Sequence, residues 1–208
     1  MLKVLALLTF GYLLGSVPSG WLVMKVYRNQ DVRKLGSGNI GAANVYRAGG
    51  LGAFTFTLIA DGLKGFIPVL TGIVLGLGGQ ELALALIGLS AVVGHTWPLY
   101  LGFRGGKGVA TSGGVMLALA PVALIMSAVT WLLIVRLTRF ASLSSLIAVG
   151  VGFVSLLALH LAGWQAWRPV GWWVIALGIA LGGLVFYRHR ANIGRLATGR
   201  ELKITTQT

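Results

Sequence analysis

Residues 142–162 read SLSSLIAVGVGFVSLLALHLA, with serines at one end, a histidine near the other, and no Asp, Glu, Lys or Arg between them. A helix of about 20 such residues is ~30 Å long, the thickness of a bilayer's hydrocarbon core. A helix on the surface of a soluble domain would keep one polar face; this one is apolar all round. The stretch therefore reads as a membrane span, and the rest of the chain must be compatible with a bilayer.

It is. Hydrophobic residues make up 56% of the 208 and charged residues only 10%, a balance foreign to a globule surrounded by water. Outward from 142–162, comparable runs fall at about 3–26, 51–77, 82–101, 109–120, 122–136 and 170–187. The runs 109–120 and 122–136 are short, and Pro121 between them is a natural breaker, so both are expected to tilt or to span only in part. The first run continues past Gly20 through WLVM without a small-residue cleavage site, which reads as a retained helix, not a signal peptide. The expectation is an all-α polytopic membrane protein of seven transmembrane helices, residues 1–208 forming a single domain.

Basic residues set the orientation. Lys25, Arg28, Arg33, Lys34 and Arg47 follow the first run, Arg104 and Lys107 the third, Arg136 and Arg139 the fifth, and Arg188, Arg190, Arg195, Arg200 and Lys203 the seventh. The other connections carry only Arg168, and the N-terminus only Lys3. By the positive-inside rule the N-terminus lies outside and the C-terminus in the cytoplasm. With six spans the basic connections would fall on both sides.

The same composition excludes several chemistries. There is no cysteine, hence no disulfide, thiolate metal site or acyl-thioester on the enzyme. A net charge of +13 rests on 17 basic residues against Asp31, Asp61, Glu81 and Glu201, too few acids for a multi-carboxylate metal centre. No metal, no cofactor and no nucleic-acid partner is expected, and anionic partners are favoured.

Four polar segments share the predicted cytoplasmic face. GFRGGKGVAT (102–111) approximates a nucleotide-binding loop but fails G-x-x-x-x-G-K-[ST] at both ends, with Leu101 in place of the first glycine and Gly108 after Lys107. What survives is the physics: Gly105, Gly106 and Gly108 beside Lys107 can bare backbone N–H groups to a phosphate. DVRKLGSGNIGAANVYRAGG (31–50) sets Ser37, Asn39, Asn44 and Arg47 among glycines. It reads either as a solvated positive-inside loop or as an anion cradle, and its length and hydrogen-bonding residues favour the cradle. RFASLSS (139–145) places Ser142, Ser144 and Ser145 at a helix N-terminus, where capping needs only one of them. YRHRANIGRLATGRE (187–201) puts His189 and Asn192 three apart on one helical face among arginines; the bland alternative is a basic anchor for anionic lipid. Within the second span Asp61 and Lys64 read as a self-neutralising structural pair or a functional one, with Gly62 and Gly65 permitting close helix approach. His95 and His160 read as local hydrogen-bonding residues.

GSGNIGAANVYRAGG, GHTWPLYLGFRGGKGVAT and YRHRANIGRLATGRE, in that order and separated by apolar spans, resemble the signature segments of the bacterial membrane glycerol-3-phosphate acyltransferases that use acyl phosphate as donor. The similarity runs from YLLGSVPSG (12–20) to GRE (199–201); one departure is Ala43, where the family usually carries Thr. The resemblance implies seven spans with an external N-terminus, and a multi-pass protein of the bacterial cytoplasmic (inner) membrane with its site on the cytoplasmic face. It implies acyl transfer from acyl phosphate to the 1-hydroxyl of glycerol 3-phosphate, giving lysophosphatidic acid and phosphate. The implied substrate site holds Ser37, Arg47, Lys107, Ser145, His189 and Asn192, shaped by glycines 105, 106 and 108. Expected partners are the two substrates, membrane lipid and the soluble enzyme that makes acyl phosphate.

An acyl phosphate is already an activated anhydride, so direct attack by the glycerol hydroxyl is the simplest route. Lys107 and Arg47 would hold phosphate, and the proton would pass either to His189 or to a substrate phosphate oxygen. The H-x-x-x-x-D pattern of the separate acyl-CoA or acyl-carrier enzymes is absent: His95, His160 and His189 are followed five places on by Tyr100, Gln165 and Gly194. The rival class is an organic-phosphate transporter or channel, for which only Asp61 and Lys64 speak, since no repeat symmetry is visible. A CDP-alcohol phosphotransferase would need more aspartates than the chain has.

Overall fold

A computed structural model describes residues 1–164 and 167–205, and every regular element among them is helical. Helices α1 (Leu2–Ser16) and α2 (Ser19–Arg28) are one apolar run interrupted at Val17 and Pro18. Pro18 has no N–H to continue the ladder. Such a break strands carbonyls inside hydrocarbon, and the Val17 carbonyl accepts a 2.7 Å hydrogen bond from Lys64 Nζ.

Helix α3 (Ala42–Gly72) begins at Ala42, not at residue 51 as hydropathy predicts, and passes into a π-helical turn, Ile73–Leu77. Its first turns, AANVYRAG, contain no breaker before Gly49 but are too polar to register as a span. A kink at Gly50, φ 79°, a region open to glycine, separates them from the apolar remainder. Arg47, read from sequence as a loop residue, is therefore mounted on a helix. Helix α4 (Glu81–Thr96) stops before Pro98. Helices α5 (Val109–Leu119), α6 (Pro121–Thr138), α7 (Ala141–Leu161), α8 (Trp172–Arg188) and α9 (Arg190–Ala197) follow, with Pro121 in the first turn of α6.

Five runs are long and apolar enough to cross a bilayer: Leu2–Arg28, Ala42–Leu77, Glu81–Leu101, Pro121–Thr138 and Ala141–Leu161. A sixth counts if α8 and α9, bent by 57°, are taken together. Helix α5, with 11 residues, is about 16 Å long and does not reach across alone. The chain is thus an all-helical, multi-pass membrane protein.

Helix α1 packs on α4, α5 lies along α3, α6 lies along α7, and α8 closes the bundle against α4 and α7. The core is aliphatic, with Val69, Leu84, Ile87, Val115, Val174 and Leu181 buried together. A smaller cluster of Met24, Val32, Ile40, Val45 and Ala53 seats the 31–41 loop on α2 and the start of α3. The α3–α5 contact needs glycine on both sides: a Cβ at Gly65 would overlap the Thr111 carbonyl, and one at Gly114 the Gly62 carbonyl. This contact brings the N-terminus of α5, and Lys107 just before it, close to α3. Helix α6 packs along α7, is hardly ever fully buried, and stands apart from α3.

At the bundle end remote from Lys107, Glu81 accepts hydrogen bonds from the Gly171 and Trp173 amides and so caps α8 across the bundle. His160 Nδ1 lies 2.7 Å from the Val170 carbonyl, the local role expected of it.

Candidate active site

The glycine loop is seated from below by a buried ionic group. Lys64 Nζ lies 2.7 Å from Asp61 Oδ1 and 3.2 Å from His95 Nδ1, with all three side chains buried. The Gly106 amide donates to the His95 carbonyl at 3.0 Å and the Gly105 amide to the Thr96 carbonyl at 3.2 Å. Arg188 donates to the carbonyls of both glycines, Nη2 to Gly105 at 3.0 Å and Nε to Gly106 at 3.2 Å. A Cβ at Gly106 would overlap the Nε2 edge of the His95 ring. This corrects the expectation that these two glycines bare their amides to phosphate: the amides are committed, and the missing side chains allow the loop to lie on His95. Gly108, with φ 81°, turns the chain into α5, whose first-turn N–H groups have no partner further back in the helix.

Lys107 reaches from this loop to the opposite wall. Its Nζ donates to Asn192 Oδ1 at 2.5 Å, and Asn192 Nδ2 donates to Glu201 Oε1 at 2.6 Å. Ser142 Oγ donates to the same carboxylate oxygen at 2.8 Å, and Arg195 Nε to Oε2 at 2.8 Å. Burial would raise the Glu201 pKa, but these three hydrogen bonds outweigh it and hold the carboxyl below its usual range. Burial brings Lys107 down to about 8, with Glu201 opposing the shift and Arg195, Arg47 and Arg188 adding to it. Lys107 thus has Arg195, Arg47 and Arg188 as charged neighbours against the one carboxylate of Glu201, an excess of positive charge suited to a phosphate.

Arg47 is buried and donates from Nε to the Lys203 carbonyl and from Nη2 to the Leu202 carbonyl, both at 3.0 Å. These two bonds use part of a five-donor fork. His189 is the residue at which the chain bends from α8 into α9. It does not share one continuous helical face with Asn192, as their spacing predicts, yet the bend keeps both on the same cavity. His189 Nδ1 lies 2.8 Å from the Val185 carbonyl, which can only accept. Nδ1 therefore carries the proton, and Nε2 keeps a free lone pair.

Arg47, Asp61, His95, Lys107, Gly108, Ser142, His189, Asn192 and Glu201 border one cavity of about 650 Å3, while Lys64, Arg188 and Arg195 stand behind its wall. Its polar end also holds Ser37, exposed on the 31–41 loop, and Asn39. Asn44 is fully engaged in shaping that loop, its amide donating to the Val32, Leu35 and Asn39 carbonyls and its Oδ1 accepting from the Ser37 amide at 2.9 Å. Asn39 Oδ1 accepts from the Gly41 amide. The serines of α7 are less free than the sequence suggests: Ser144 donates to the Phe140 carbonyl and Ser145 to that of Ala141, each at 2.8 Å, and Ser145 also accepts from Trp131 Nε1. Acceptors one helical turn back are always within reach of a serine. From this end the cavity runs between α3, α5, α6, α7 and α8 along apolar walls that include Phe66, Met116, Leu124, Phe153, Leu156 and Leu181.

Sequence reasoning passed over two residues here. Glu201 organises the site, and its signal was only that a lone acid closes the basic segment 187–201. Ser112, in the first turn of α5, lines the cavity with a buried hydroxyl that has no partner among the described residues.

A basic, hydrogen-bonding head joined to an apolar tunnel within a helical membrane bundle defines a protein that handles a phosphate and a long acyl chain together. Comparison with known proteins gives the same class. The glycerol-3-phosphate acyltransferase family profile matches residues 5–199. The glycerol-3-phosphate acyltransferase of Rubrobacter xylanophilus is 47% identical over 204 residues, covering 98% of this chain and 96% of that one. That of Aquifex aeolicus is 43% identical over 200 residues, covering 96% and 98%. The crystal structure of PlsY (YgiH), an integral membrane glycerol 3-phosphate acyltransferase in its glycerol 3-phosphate form, superposes with a TM-score of 0.86 at 41% identity, covering 97% of this chain and 95% of that one. Its lysophosphatidic acid form superposes with a TM-score of 0.84. The chain belongs to the glycerol-3-phosphate acyltransferase family.

Proposed function

We propose that this protein transfers a fatty acyl group from acyl phosphate to the 1-hydroxyl of glycerol 3-phosphate, releasing lysophosphatidic acid and inorganic phosphate. It works in the bacterial cytoplasmic membrane with seven membrane segments, the short α5 counted separately from α6, the N-terminus outside and the site on the cytoplasmic face. The observation that carries the reading is the single cavity in which Lys107, Arg47 and His189 meet an apolar tunnel. A soluble phosphate ester and a membrane-borne acyl chain can meet only in a site with both characters.

In the reaction the glycerol oxygen attacks the acyl carbon, and the carbon–oxygen bond to phosphate breaks with its electron pair leaving on the phosphate. Lys107, Arg47, Ser37 and the first-turn amides of α5 bind phosphate oxygens and stabilise the leaving charge. Ser145, Ser142, Asn39 and Asn44 shape the head of the site, while Asn192, itself anchored by Glu201, holds Lys107 in place. The hydroxyl proton goes to His189 Nε2, whose lone pair the Val185 contact leaves free, or to a substrate phosphate oxygen. No step calls on a metal or cofactor, because the donor is already activated.

The transporter reading loses its one feature. Lys64 is closed on Asp61, Val17 and His95, so this intramembrane pair offers no free charge to a passing ion. A donor comparison tests the proposal. Purified protein offered palmitoyl phosphate, palmitoyl-CoA and palmitoyl-acyl carrier protein is expected to use the first alone, and turnover with either thioester as the better donor would overturn it.

Seating of the glycine loop predicts that Gly106→Ala raises KM for glycerol 3-phosphate about tenfold and lowers Tm, since the methyl group must displace His95. Unchanged KM and Tm would show that the loop does not lie on the ring.

A further inference from the structure

The gap between α3 and α6 carries a second hollow beside the first, lined by Tyr46, Trp131, Val135, Arg136, Arg139 and Ile204. Trp131 and Phe54 border both hollows, so the two adjoin at the gap with these rings between them. Along the apolar part of the gap Leu58 of α3 and Leu132 of α6 are exposed, and on a membrane helix that means exposure to lipid tails. At its head Arg136 and Arg139 are exposed, and neither makes a side-chain hydrogen bond or ion pair among the described residues. The hollow is also fixed in place: the Ile204 amide donates to the Arg139 carbonyl at 2.7 Å, while Arg47 grips the two preceding carbonyls of the same strap.

Resting on the reading above, we propose that the α3–α6 gap is a lateral doorway at which Arg136 and Arg139 bind the phosphate of a single-chain lipid while its acyl chain slides past Trp131 and Phe54. The ligand chemistry is a terminal phosphate on one long chain, shared by the acyl phosphate donor on its way in and lysophosphatidic acid on its way out. A two-chain phospholipid has the wrong shape for a passage that leads into one tunnel. Topology alone asks only for positive charge on this side. It does not ask for an aromatic-walled hollow between the arginines and the catalytic cavity. Two guanidinium groups match phosphate as paired donors.

The test uses wild-type protein and the double variant Arg136→Gln/Arg139→Gln in nanodiscs of neutral phosphatidylcholine, so that attraction to a charged surface plays no part. For the variant, KM for palmitoyl phosphate is expected to rise about tenfold, with KM for glycerol 3-phosphate and kcat unchanged. Arg136→Lys/Arg139→Lys should recover most of the loss. Direct binding of lysophosphatidic acid separates the sources: a weaker Kd with unchanged donor KM assigns the doorway to product exit, and the reverse assigns it to donor entry. Unchanged values for both lipids would overturn the doorway, as would an equal rise in KM for both substrates. If wild-type protein does not use palmitoyl phosphate at all, the acyl-phosphate reading fails by itself, and the lysophosphatidic acid arm still tests the site.

Discussion

Lys107→Met is expected to lower kcat/KM by about 100-fold or more while leaving a folded, membrane-inserted protein. A charge-assisted bond to phosphate in a partly desolvated site contributes far more than an exposed pair, and methionine keeps most of the apolar stem. Lys107→Arg should recover part of the activity, because the charge returns in a larger, planar form. The pH dependence follows from the pKa of about 8. Below that pH Lys107 is charged and binds phosphate; as pH rises through 8 the charge is lost and KM for glycerol 3-phosphate increases. Bound phosphate favours the ammonium form, so the alkaline limb of kcat should lie at higher pH than that of kcat/KM. Glu201 supports the charge, so in Glu201→Gln the kcat/KM limb should move to lower pH. Near-normal turnover by Lys107→Met, with its size-exclusion profile intact, would remove this residue from the site.

The second large effect belongs to His189. If Nε2 takes the glycerol proton, His189→Gln lowers kcat by about 100-fold or more, and the acidic limb of the pH–rate profile disappears with the titrating group. If substrate phosphate takes the proton, the same variant mainly weakens binding and the limb stays. Asn192→Ala is the comparison: it removes the partner of Lys107 and Glu201 without removing a titrating group, so turnover should fall with the profile's shape retained. Wild-type kinetics in both variants would reduce residues 187–201 to a basic membrane anchor.

How far the sequence anticipates this site depends on what kind of signal each part leaves. Most spans are legible because apolar length is set by bilayer thickness, and Pro121 marks a real interruption; Pro18 breaks a run whose hydropathy reads as continuous. The start of α3 is not, because AANVYRAG is helical yet polar, and hydropathy reports burial in lipid, not helicity. Lys107, Arg47 and His189 declare themselves as unusual residues in unusual company. Glu201 does not, because one carboxylate in a strongly basic chain looks like an exception until the fold brings Asn192, Ser142 and Arg195 around it. The glycine pair shows a different limit. Sequence identifies positions that cannot carry a side chain, but only the packing shows that Gly106 yields its space to His95 and not to phosphate.

The most direct measurement incubates the purified protein with palmitoyl phosphate and radiolabelled glycerol 3-phosphate in the presence of EDTA and follows both products. Lysophosphatidic acid and inorganic phosphate should appear in equal amounts at an undiminished rate. No lysophosphatidic acid, or product formed only when a divalent metal is restored, would contradict direct acyl transfer between the two substrates.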